Sequence, residues 1–362
     1  MAVHHGPIQE RILWLQDLAN RHTAEFRSPE ASLARDRYRA SHPTDIVVLK
    51  CMDGRINIPV ATGTPPGIIT PIRNLGGMFD LGWPHLGEVL AHHVQQVVND
   101  GHQVLMLITY HFSRGEVNRG CAGFDYDTSA AVAHTRAIKQ QAEEIFGAGH
   151  GTVYPVICGF ETDEDALLLH GADNQVLDLS ALAGTADPDL EGRVAALFPD
   201  MPGRIKTDLL PLLYGNHQWI SRVRARPRQL DIEHREWMIC LGRGFDFLHT
   251  PNLALIVGPY SPDLSDPVRQ AAGIIEANMR AGRIPDDGFL LLTSAPYDDI
   301  GMDRARAALK SRFLSRFGAE VIKTHFPSLA ERMHIQTAVL SWRSRGLSFL
   351  SQESAFRIQD SD

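Results

Sequence analysis

The sequence predicts an α/β protein, a parallel sheet with helices covering both faces, and three observations carry that prediction. Short apolar runs rich in β-branched residues recur: "DIVVLKC" at 45–51, "GIITPIRN" at 67–74, "QVLMLITYH" at 103–111 and "TVYPVICGF" at 152–160. Unbroken apolar runs of this length suit strands buried on both faces. Longer stretches with helical spacing lie between them, and strand and helix alternate, the order that parallel sheets require.

The elements follow along the chain. Residues 8–40 place Ile12, Leu15 and Leu18 on one side of a helix, and Pro29 breaks the pattern in two, so an amphipathic arm is expected to pack on another part of the molecule. In 83–101 Leu86, Val89, Leu90, Val94 and Val97 recur at helical spacing, and Asn99-Asp100-Gly101 stops the helix. A helix is expected over 127–147, capped by Thr128 or Ser129. Residues 161–230 are acidic and irregular. The order then begins again, with strands at 237–245, 253–261 and 288–297, helices over "DPVRQAAGIIEANMRAG" and "DRARAALKSRFLSRFG", and a strand at "AEVIKTHF". The recurrence predicts an internal duplication, with a helical arm at 1–43, a first unit at 44–162, a connector or insertion at 163–235 and a second unit at 236–350.

Composition narrows the function. Apolar residues make up 44% and charged ones 22%, ordinary for a soluble globular chain. Lys and Arg total 35 against 43 Asp and Glu, a net charge of −8, so neither nucleic acid nor a membrane is an expected partner. The basic run 222–228 reads as a solvated face. No apolar stretch approaches the ~20 residues that span a bilayer, and the start lacks the pattern of a secretory signal. The cytoplasm is the expected compartment, and four scattered cysteines there point to metal or catalysis rather than disulfides.

Ligand groups in parallel sheets gather beyond the carboxyl ends of the strands. Cys51 ends the first strand, His111 ends the third, and Cys121 lies on the loop that follows. Two thiolates and an imidazole suit Zn²⁺ with its fourth position open to water, with Cd²⁺ tolerated. Such an ion lowers the pKa of bound water toward neutrality. Asp53 is placed to accept a hydrogen bond from that water, and Arg55 to keep Asp53 ionised and oriented. Cys158 and Cys240 read as core residues. His85, His92 and His93, on one helix, are candidate proton shuttles. "ATGTPPG" is no phosphate loop, because its prolines lack the N–H groups a phosphate needs.

"CMDGR" (51–55) matches the Cys-x-Asp-x-Arg motif of β-carbonic anhydrases, and "IRNLGG" (72–77) resembles their Arg-Asn-x-Gly segment. The ten positions between His111 and Cys121 depart from the common His-x-x-Cys spacing and resemble the carboxysome shell and cadmium-type zeta carbonic anhydrases. The resemblance covers about 44–160 and, more loosely, 236–345. It implies a β-carbonic-anhydrase-like sheet duplicated as an intramolecular pseudo-dimer. The second half, whose "ICLGRGF" lacks the Asp of the dyad and whose "SAPYDDIGMDR" has neither His nor Cys, would carry no metal. With about 43 residues before the first strand, residence in a carboxysome shell is not expected to carry over.

The activity implied is reversible hydration of carbon dioxide to bicarbonate, a lyase reaction in which zinc-bound hydroxide attacks the substrate in an apolar pocket. Carbonyl sulfide or carbon disulfide hydrolysis would use the same metal and fold, and comparison of initial rates separates them. A non-catalytic zinc or bicarbonate sensor is the third reading. Intact Asp53 and Arg55 oppose it, since a structural zinc wants a fourth protein ligand. Whether Asp53 itself closes the fourth position, and whether the chain forms a homo-oligomer, are open at this stage.

Overall fold

The structure, a computed structural model, describes residues 3–186, 188–227, 232–245, 247–248 and 252–351. Two helices open the chain, α1 (Ile8–Phe26) and α2 (Pro29–Ser41). Pro29 stands at the first position of α2, and Ser28 caps it by accepting the Ala31 N–H at 3.1 Å, so the break in the pattern is a new helix start. The inner face of α1 buries Ile8, Ile12, Leu15 and Ala19. Arg11, also buried there, pairs with Asp287 and lies over the ring of Trp237. The arm therefore packs against the carboxyl-terminal half of the chain.

The first sheet holds β1 (Asp45–Cys51), β2 (Ile69–Asn74), β3 (Val104–Phe112), β4 (Val153–Glu161), β5 (Ala166–His170) and β6 (Val176–Asp178), in the order β2-β1-β3-β4-β5-β6. β1 to β4 are parallel, while β5 and β6 return antiparallel. Helices α3 (Ile58–Thr62), α4 (Pro84–Asn99), α5 (Thr128–Phe146), α6 (Leu190–Leu197) and α7 (Gly203–Arg224) accompany it. The second sheet holds β7 (Met238–Gly242), β8 (Ala254–Val257), β9 (Phe289–Tyr297), β10 (Met333–Ser341) and β11 (Leu347–Phe349), in the order β11-β10-β9-β7-β8. Its helices are α8 (Ser265–Arg280), α9 (Met302–His325) and α10 (Pro327–Ala330). The protein is thus α/β, with parallel-dominated sheets flanked by helices. Among the described residues no helix is long and apolar enough to cross a membrane.

The four parallel strands of each sheet follow one order, β2-β1-β3-β4 in the first and β8-β7-β9-β10 in the second. The sheets touch through corresponding strands. Ile256 N–H donates to the Met52 carbonyl at 2.7 Å, Gly54 N–H to that of Ala254 at 3.1 Å, and Gly258 N–H to that of Arg73 at 3.0 Å.

Three expectations differ from the structure. "AEVIKTHF" is no strand: it continues α9, and the fourth strand of the second sheet is β10. The "FGAEV" stretch resembles the "FGAGHGTV" that ends α5 and leads into β4, and it misleads at one glycine. Gly147 ends α5 at φ +91°, whereas Gly318 lies inside α9, where an added Cβ would meet the Leu241 side chain at 3.1 Å. Gly318 is there for close packing, not to stop a helix. The cap of α5 is Asp127, whose carboxylate accepts the Ser129 and Ala130 N–H groups, rather than Thr128 or Ser129. Residues 161–230 are not irregular: they supply β5, β6, α6 and α7. Buried Asn216 of α7 ties these in by bonding the Leu167 N–H and the Ala61 and Asp165 carbonyls. Of the basic run, Arg224 pairs with Glu164, and residue 228 lies outside the described residues.

Candidate metal centre

β1 and β3 are adjacent and parallel, with Leu49 opposite Ile108. Cys51 lies two residues beyond Leu49 and His111 three beyond Ile108, so both leave the same end of neighbouring strands. The loop after β3 brings Cys121 back to that end. One ligand atom from each of Cys51, His111 and Cys121 lies within 4.8 Å of the others, and all three residues are buried. Among the described residues this is the one such group of three or more.

The donor set fits a soft divalent ion. Tetrahedral Zn–S bonds of ~2.3 Å and Zn–N bonds of ~2.0–2.1 Å put ligand atoms about 3.5–3.8 Å apart, so a small closure brings the cluster to coordination distance. His111 Nδ1 is buried and has no hydrogen-bond partner. A buried ring nitrogen without a partner costs free energy unless its lone pair is used. The two sulfurs lie within 4.8 Å of each other and compete for a proton. The Cys51 thiol is pushed well up, first by that contact and then by burial. Cys121 is pulled down by the same contact against the burial that raises it, with help from the Gly123 and Phe124 N–H groups. Those backbone donors make Cys121 the sulfur held toward thiolate.

Asp53 and Arg55 lie on the turn after Cys51, 4% and 3% exposed, and so inside the protein rather than on a wet surface. The guanidinium grips the carboxylate twice, Nε to Oδ1 and Oδ2 at 3.1 Å each and Nη2 to Oδ2 at 2.6 Å, while the Arg55 N–H adds a bond to Oδ1 at 2.9 Å. Burial acts to raise the Asp53 pKa, but the Arg55 charge and hydrogen bonds outweigh it and hold the carboxyl well below its usual range. The carboxylate is not a member of the three-ligand cluster. The site therefore presents three side chains able to hold an ion, with an ionised carboxylate close by.

Arg73 holds the turn from beneath, donating from Nη1 to the Cys51 and Asp53 carbonyls at 3.2 and 2.9 Å and from Nη2 to the Ile56 carbonyl at 3.2 Å. Gly77, at φ +70°, passes so near that a Cβ there would lie 3.0 Å from the Thr109 carbonyl oxygen and 3.4 Å from the Cys51 nitrogen. The "IRNLGG" segment thus shapes the turn that carries the site.

The second half stands against the same turn. A Cβ on Gly54 would lie 2.6 Å from the Ala254 oxygen, the atom that accepts the Gly54 N–H. Gly54→Ala is expected to break that bond and cost about 1–3 kcal/mol, read as a lower midpoint in thermal unfolding with reduced metal retention. An unchanged midpoint would show that the two sheets do not meet here. In the second sheet Leu241 pairs with Thr293 as Leu49 does with Ile108. Counting from those pairs, Arg243 takes the place of Cys51 and Pro296 that of His111. An arginine and a proline hold no cation.

Of the candidate shuttles, His93 Nε2 bonds Asp45 at 2.8 Å. Asp45 is six residues back along β1, about 20 Å from Cys51 at strand rise, so His93 does not serve this site. His92 lines the same outer groove as His93, and His85 stacks near Tyr260. Sequence reading missed His234, which meets Arg55 from the far side, and Glu236 behind it, because they lie in a stretch with no periodicity and no motif.

No protein-family model matches the chain, and no curated protein matches it. Among solved structures it is similar to one described as "The structure of the beta-carbonic anhydrase CcaA", with 14% identity, a TM-score of 0.32, and coverage of 43% of this chain and 87% of that one. A likeness this loose transfers neither a residue nor an activity.

Proposed function

We propose that this protein is a zinc-dependent carbonic anhydrase, hydrating carbon dioxide reversibly to bicarbonate at the Cys51–His111–Cys121 cluster. The observation that carries the reading is the meeting of those three side chains, remote along the chain, beside a buried Asp53–Arg55 pair. The Cys-x-Asp-x-Arg motif of β-carbonic anhydrases supports it. Cys51, His111 and Cys121 would hold the ion. A divalent zinc on such a donor set supplies Lewis acidity, lowering the pKa of water toward neutrality.

The remaining work belongs to the chain. Asp53, ionised and fixed by Arg55, accepts a hydrogen bond from the attacking water and turns its lone pair toward the substrate. Arg55 is buried and donates to protein groups from all three of its nitrogens, and so acts on Asp53 rather than on substrate. Because Asp53 is held by Arg55 outside the ligand cluster, the fourth position is read as open.

Stopped-flow hydration of carbon dioxide by the purified, zinc-loaded chain tests the reading, with carbonyl sulfide and carbon disulfide run alongside. Hydrolysis of either sulfur substrate without hydration would move the activity to the alternative hydrolase. Zinc uptake with no turnover on any of the three would favour a sensor.

The second half is read as a metal-free counterpart that packs on the first as the partner in a pseudo-dimer. The shared strand order and the hydrogen bonds from β8 to the 51–55 turn support this. Residues 1–227 or 232–351 expressed alone are expected to aggregate, since each leaves an apolar face bare. Two soluble, monodisperse halves by light scattering would contradict the pseudo-dimer.

A further inference from the structure

Arg55 offers five N–H groups and accepts nothing. Nε and Nη2 serve Asp53, and Nη1 donates to the Ile232 carbonyl at 2.9 Å. Nη2 also faces the Arg119 carbonyl at 2.9 Å and His234 Nε2 at 3.2 Å. Nη2 has two N–H groups for these three acceptors, so His234 shares a donor with its neighbours; because a guanidinium cannot accept, that shared bond forms with Nε2 bare and the ring proton on Nδ1. That proton has a partner: Nδ1 lies 2.9 Å from Glu236 Oε1. Glu236 is fully buried, and its other oxygen accepts from Asn278 Nδ2 at 3.0 Å. Asn278 is in turn held by Arg283, which donates to its Oδ1 at 2.9 Å.

The chain of bonds runs one way. Glu236 fixes the tautomer and tilt of His234, His234 aims a lone pair at Arg55, and Arg55 grips Asp53. Carboxylates that orient a histidine in this manner are a recurrent way to tune a site from behind. All the outer members come from residues 234–283, the second half of the chain, 179 or more positions from Arg55.

We infer that His234 is a positioning residue for the Asp53–Arg55 pair, set by Glu236 and supplied to the first half's site by the second. Its kinetic consequence rests on the hydration reading; its geometry does not.

The test uses the full chain, zinc-loaded, as wild type, His234→Gln and His234→Asn. The Gln amide reaches the place of Nε2 and restores an acceptor for Arg55. Asn reaches only the place of Nδ1 and leaves Arg55 Nη2 with Asp53 and the Arg119 carbonyl alone. His234→Asn is expected to lower kcat for carbon dioxide about 10–100-fold with KM, zinc content and unfolding midpoint close to wild type, and His234→Gln to recover most of that loss. Wild-type kcat in His234→Asn, or equal losses in both variants that follow zinc content or midpoint, would overturn the inference.

A second readout needs no activity. Nitrogen NMR of ¹⁵N-histidine-labelled wild type is expected to show His234 protonated at Nδ1 and bare at Nε2. The Arg55 Nε–H resonance is expected to move in His234→Asn and stay in His234→Gln. A proton on Nε2, or an Arg55 signal indifferent to both variants, sinks the inference. A wild type that turns over none of the substrates ends the hydration reading instead, and the NMR arm then decides the inference alone.

Discussion

Cys121→Ser, like Cys51→Ser and His111→Ala, is expected to empty the site of metal and to lower carbon dioxide turnover more than about 100-fold, beyond the 10–100-fold that loss of an outer partner costs. The expectation follows from the ligand count. Three donors with an open fourth position have no reserve, and serine is a poor ligand for an ion that prefers sulfur and imidazole. Elemental analysis reads metal per chain, and stopped-flow hydration reads turnover. The fold should suffer too, because a buried cluster that loses its ion keeps unsatisfied polar atoms, and the unfolding midpoint is expected to fall. Unchanged metal content in all three variants would refute the centre.

Asp53→Asn is expected to do the opposite to metal and the same to rate. Zinc stays near one per chain while turnover falls about 10²–10⁴-fold, the scale of a lost, well-placed proton acceptor. Equal turnover would remove Asp53 from the mechanism. Stability should also change, since the variant leaves the buried Arg55 cation without its carboxylate. Removing one partner of a buried ion pair costs about 3–5 kcal/mol, and the remaining Asn oxygen places this case at the low end.

The pH dependence has a definite sign. Asp53 is held below its unfolded pKa, by Arg55 against the opposing effect of burial. Its stabilisation is therefore present above the unfolded value of ~3.9 and is lost as pH falls toward the folded value. Unfolding free energies of wild type and Asp53→Asn are expected to differ by a constant amount above about pH 5 and to converge in acid. A gap that widens in acid would mean that the pair is not formed.

Much of the site was legible because it depends on strand ends. "DIVVLKC" and "QVLMLITYH" could be recognised as buried strands from their unbroken apolar character, and parallel strands in one sheet bring their carboxyl ends to one edge whatever lies between. Cys51 and His111 follow from that alone. Cys121 needed the shorter step of a loop returning to the strand it left. The 319–326 helix was not legible, because "AEVIKTH" mixes β-branched and polar residues in a way that fits a strand as well as a helix. The 24-residue length of α9 is set by packing on β9 and β10, which no local pattern records. Residues 163–235 read as a connector since β5 and β6 are short, and their burial depends on α7. His234 and Glu236 were invisible for another reason: Arg55, which His234 bonds and Glu236 reaches only through His234, is far along the chain, and only the closure of one half on the other brings them near.

That closure has a consequence for how the protein behaves when dilute. Where such a site borrows its outer groups from a separate subunit, activity per chain falls once the concentration drops below the dissociation constant of the assembly. Here β8 and residues 232–236 are tethered to the turn they support, so the local concentration of the supporting half is set by the polypeptide and not by the cell's supply. Specific activity should accordingly hold constant down to the lowest protein levels that an assay can follow.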